Sequence, residues 1–110
     1  MAVNAPFTPS GNTVTFTAAV TAPTPVQAVS TTLGGNQYRI LNAGSVVAFL
    51  GIGTTAALAN TNAQVVTSSN IAIPLLAGTD EIITFVPNAY FTGVTGSSSA
   101  VVYITPGDGS

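Results

Sequence analysis

Residues Gln37 to Gly53, QYRILNAGSVVAFLGIG, hold two extended apolar runs on either side of a short turn. A chain that must bury both runs has few folds open to it. From Gln37 to Leu41 the side chains alternate, so Tyr38 and Ile40 share one face while Gln37, Arg39 and Leu41 share the other. This predicts a half-buried strand. The run Val46, Val47, Ala48, Phe49, Leu50 hardly alternates, which predicts a strand covered on both faces. Between them Asn42-Ala43-Gly44 reads as a turn, with Gly44 able to supply a positive φ at no steric cost. The pair is expected to form a buried hairpin at the centre of the fold, as core rather than as the scaffold of a site.

The other periodic segments are also extended. Thr13 to Val20 alternates Thr13, Thr15 and Thr17 against Val14, Phe16 and Ala18, the clearest strand with one wet face. Ala22-Pro23-Thr24-Pro25 interrupts regular structure, and Val26 to Thr32 is expected to be a short strand with Pro25 at its edge. Gly34-Gly35-Asn36 is read as a turn. Thr54 to Asn70 is expected to be a long surface loop, although Ala56 to Ala59 has the composition to begin a helical turn. Ile71 to Leu76 reads as an edge strand, because Pro74 cannot donate to a central ladder. Asp80 to Val86, Tyr90 to Thr95 and Ala100 to Thr105, joined by short turns, read as an antiparallel meander. The expectation is an all-β, antiparallel β-sandwich or small jelly-roll-like barrel over residues 13–106. Residues 1–12 are expected to form an extended N-terminal arm and 107–110 a short C-terminal tail.

The 110 residues are enough for one hydrophobic core. Only 4% of them are charged, against about 25% in ordinary proteins; Arg39 is the sole cation, and Asp80, Glu81 and Asp108 are the acids. Hydroxyls and amides must therefore wet the surface. A net charge of -2 gives no electrostatic footprint for nucleic acid. A membrane partner is not expected either, since no polybasic patch, basic leader or spanning helix can be read. With no His, Cys or Lys, the usual general base, thiolate and Schiff-base amine are missing, so no enzyme, catalytic residue, cofactor site or metal site is expected.

Three features need separate weighing. Asp80 and Glu81 are adjacent on a strand and so point to opposite faces, which rules out an acid/base pair on one substrate and suits a charge that blocks edge pairing. Gly51-Ile52-Gly53-Thr54-Thr55-Ala56 matches the G-x-G-x-x-A dinucleotide fingerprint after an apolar strand, but a packed helix, a parallel second strand and an acid about 20 residues on are not evident. Arg39 is expected to pair with Asp80, Glu81 or Asp108, or to contact a neighbouring subunit.

Gln37, Arg39, Ile40, Asn42 and Gly44, followed by an apolar strand and later by the closing segment Tyr103 to Gly107, resemble a motif of small virion proteins of tailed bacteriophages. The likeness covers most of the chain, though Thr54 to Asn70 follows no pattern of that kind. The resemblance implies a non-enzymatic structural protein of the virion, placed as a capsid decoration (cement) protein on the outer head shell. Its partners would be the major capsid protein or another virion protein and itself, as a symmetric homo-oligomer such as a trimer. Placement in a neck, tail or fibre is the alternative within the virion. A β-sandwich carbohydrate-binding module is the alternative outside it, with Tyr38, Tyr90 and Tyr103 as stacking platforms. Phe7, Arg39 and Tyr90 are the candidate interface residues.

Overall fold

In the computed structural model, residues 8–30, 37–65 and 72–108 are described. Along them run strands β1 (Thr8–Pro9), β2 (Val14–Ala18), β3 (Val26–Gln27), β4 (Gln37–Asn42) and β5 (Ala48–Gly53). Helix α1 (Ala56–Asn62) follows, then β6 (Ala72–Leu75), β7 (Asp80–Thr84), β8 (Tyr90–Thr95) and β9 (Ala100–Asp108). One sheet has the order β1/β2, β9, β4, β7, with β1 and β2 both against β9; the other has the order β3, β8, β5, β6. Every ladder between these strands is antiparallel. The two sheets make an all-β sandwich.

The pairings are nested. β2 pairs with β9, β3 with β8, β4 with β7 and β5 with β6. The chain thus behaves as one long hairpin whose apex lies between β5 and β6, rolled up until β9 also meets β4 and β8 also meets β5. This is the jelly-roll order.

Two expectations about neighbours are corrected here. β4 and β5 are not a hairpin; they lie in opposite sheets. Their apolar faces are buried by stacking, with Tyr38 and Ile40 facing the same core as Ala48, Leu50 and Ile52. The last three strands are likewise not a meander, since β7 and β9 belong to one sheet and β8 to the other. Alternation between layers satisfies the same hydrophobic pattern as side-by-side pairing, so periodicity does not separate the two.

The crossing from β4 to β5 is fixed by a buried amide. Asn42 Nδ2 donates to the carbonyls of Val46 (3.0 Å) and Leu75 (2.9 Å), while Oδ1 accepts from the Gly44 amide (2.9 Å). Gly44 is needed for space rather than for a positive φ, because a Cβ there would lie 2.5 Å from Ala100 Cβ. Among the described residues the left-handed glycine is Gly78, with φ 73°.

Within the loop expected over Thr54 to Asn70, residues Ala56–Asn62 instead form helix α1, and residues 66–70 lie outside the described residues. Thr55 caps α1, its Oγ1 accepting from the Leu58 amide at 3.2 Å. The helix lies on the outward side of β5 and buries Ala59, so β5 is covered on both faces as its composition predicts. At the chain ends the described residues shift two boundaries. Thr8 and Pro9 pair with Asp108 and Gly107, so part of the expected arm and part of the expected tail form a ladder. The Gly34-Gly35-Asn36 turn lies outside the described residues.

Candidate interface surface

Inward positions of β9 are taken by Ala100, Val102 and Ile104, which leaves Val101, Tyr103 and Thr105 on the outside. By the same parity Arg39 and Leu41 of β4 and Asp80 and Ile82 of β7 face outward. Arg39 stands opposite Ile82 and Leu41 opposite Asp80, with Thr105 and Tyr103 continuing the two rows onto β9. Leu41, Ile82 and Tyr103 keep 37%, 53% and 40% of their surface in solvent. The result is a mixed sheet face on which Leu41, Ile82 and Tyr103 stand exposed among Arg39, Asp80 and Thr105, edged by the threonines of β2.

Arg39 meets Asp80, one of the three partners expected of it. Its Nη2 and Nε donate to the same Oδ2, at 2.7 and 2.9 Å. Both side chains are about half exposed, 57% and 46%. Such a pair adds about 0–1 kcal/mol to stability. A groove of about 630 Å³ lies beside it, lined by Pro9, Thr13, Arg39, Asp80, Ile82 and Thr105. Glu81 stands opposite Ile40, hence on the other side of the strand from Asp80, and is exposed at the sheet edge. The two carboxylates do not converge.

The other residues named from the sequence are elsewhere. Phe7 lies outside the described residues. Tyr90 precedes the inward Phe91, so it lies on the outer face of the opposite sheet, half-buried beside Gln27 and Gly53. Arg39 and Tyr90 therefore cannot belong to one flat contact. Tyr38 is corrected as a stacking platform because it is fully buried. Its hydroxyl donates to the Val86 carbonyl and accepts from the Ala89 amide, and its ring meets Phe91 edge-on with centroids 4.8 Å apart. Burial pushes the phenol's pKa up, against a smaller lowering by the backbone contacts.

The glycine fingerprint has a packing explanation. A Cβ on Gly51 would lie 2.3 Å from the Ala59 carbonyl oxygen, and one on Gly53 would lie 2.4 Å from the Ala59 amide nitrogen. Both glycines let α1 rest on the backbone of β5. A helix does follow the motif, but both neighbours of β5 run antiparallel to it, so no parallel βαβ unit holds the loop. A second concavity, of about 420 Å³, opens between α1 and β7 and is lined mainly by Ile52, Leu58, Ile73, Ile83 and Phe85. Among the described residues no group of three His, Cys, Asp or Glu side chains could hold a metal ion, and no helix is long and apolar enough to cross a membrane. Comparison of the chain with protein-family models, curated proteins and solved structures found no match to any of them.

Proposed function

We propose that this protein is a non-enzymatic structural protein of a tailed-phage virion, packing on the outer head shell as a decoration protein and self-associating there. The observation that carries the reading is the outward face of the β2–β9–β4–β7 sheet, where Leu41, Ile82 and Tyr103 stand exposed around one ion pair. Exposed apolar side chains gathered around one ion pair on a small domain suit contact with another protein. The jelly-roll order fits this role, since it recurs in capsid proteins; it recurs in lectins as well, so fold alone does not decide.

A contact built by so few charges is held by apolar packing and hydrogen bonds, and screening has little to act on. The protein stripped from shells and added back should co-sediment with them almost equally at about 0.05 and 0.5 M salt, a range over which the Debye length falls severalfold. A large loss across that range would mean that charge carries the contact. Absence of co-sedimentation at any salt, from a folded sample, would sink the shell role and turn attention to glycan binding through Tyr103.

A further inference from the structure

On the outer face, Arg39, Leu41, Asp80 and Ile82 occupy the corners of one block two strands wide. The charges take one diagonal and the exposed aliphatic side chains take the other. A two-fold axis lying in the face along the Leu41–Ile82 diagonal carries Arg39 onto the position facing Asp80, and Asp80 onto the position facing Arg39. It leaves Leu41 and Ile82 each opposite their own equivalents. The block is thus complementary to itself in both charge and hydrophobicity, which is the requirement of an isologous contact.

We infer that this face is the contact between two copies of the chain, docked face to face about that axis, with Arg39 of each copy exchanging its Asp80 for the other copy's. The inference rests on the packing role proposed above and names the surface that copies share. The whole face, four strands about 4.8 Å apart paired over five to six residues, projects to roughly 350 Å², an upper bound for a contact whose axis lies at its β4–β7 edge. Stable complexes bury about 800 Å² per partner. The dimer is therefore weak in dilute solution. It fills where copies are held side by side, as on a shell, because local concentrations there reach the millimolar range of about 1 mM.

Sedimentation of the full chain between about 0.01 and 1 mM tests this, a range that reaches the local concentration expected of copies held side by side. The wild type should pass from monomer to dimer. Arg39→Asp makes the block wholly acidic and Asp80→Arg makes it wholly basic, so each variant alone should associate at least about tenfold more weakly. An equimolar mixture should restore dimers, now of one copy of each. The substitutions are at exposed positions, and circular dichroism checks that both variants keep the fold; Leu41→Ser, which leaves the charges in place, should weaken association independently. A wild type that stays monomeric throughout, variants that associate as before, or a mixture that fails to dimerise would each overturn the inference. None of these outcomes depends on shells, so failure here is distinct from failure of the shell role.

Discussion

Tyr38 shows at the scale of one residue what alternation gives and what it leaves out. Its inward direction follows from its place between Gln37 and Arg39, and it is buried as that predicts. Its polar contacts do not follow, because Val86 and Ala89 stand 48 and 51 positions away along the chain. Tyr38→Phe keeps the ring but leaves the buried Ala89 amide without its acceptor, a loss of about 1–3 kcal/mol in urea unfolding at neutral pH. The pH dependence has a definite sign. The folded phenol has its pKa above the unfolded value of about 10, so its contribution is complete below that pH and falls away as pH rises toward the folded value. Wild type should lose stability above about pH 10, and the variant should lose less over the same interval; equal slopes would show that Tyr38 does not carry the effect.

Elements were legible as elements and illegible as neighbours. The Thr13–Val20 pattern places β2, and Pro74 places β6 at an edge, because period and the missing amide are local properties. Partner choice is set by which faces must stack, and nothing in the β4 or β7 sequence names the sheet to which each belongs. Helix α1 is legible only as the start of a helical turn at Ala56 to Ala59, for a related reason. Its seven residues carry little helical periodicity, and its real signal is the pair Gly51 and Gly53, whose lack of Cβ atoms makes room for it. Gly51→Val should therefore displace α1 before it disturbs the sheets, at a cost of about 1–3 kcal/mol. Hydrogen exchange reads this directly: amides of Ala59 and Ala63, now bonded to Thr55 and Ala59 carbonyls, should lose protection while those of β4 keep it. Uniform loss across both would mean that the helix and the sandwich unfold as one unit.

For the whole molecule, the nested pairings put β2 beside β9 and make β9 the strand that joins β1, β2 and β4. Contacts between positions so far apart have a high closure cost, so folding should relax on the millisecond to second scale typical of such topologies. Removal of residues 100–110 takes away a central strand and should leave a chain without cooperative unfolding. Microsecond relaxation, or a sharp transition in the shortened chain, would contradict the described topology. The outer sheet face depends on the same arrangement, because Arg39, Asp80 and Tyr103 come from three strands that only the rolled order places together. The sequence could single out Arg39 as the sole cation but could not show that Leu41, Ile82 and Tyr103 stand around it.

The apex of the rolled hairpin also determines where the chain can grow. Every strand pair nests outward from the connection between β5 and β6, so residues added there change no register elsewhere. Gln64 and Val65, exposed just beyond α1, are the point at which a foreign peptide would be carried on a stalk already closed by the β5–β6 ladder. Each doubling of that connection costs only about 0.6 kcal/mol in closure entropy. Lineages of such a chain would be expected to differ in length there first, and a display scaffold built on it would place its cargo at the same point.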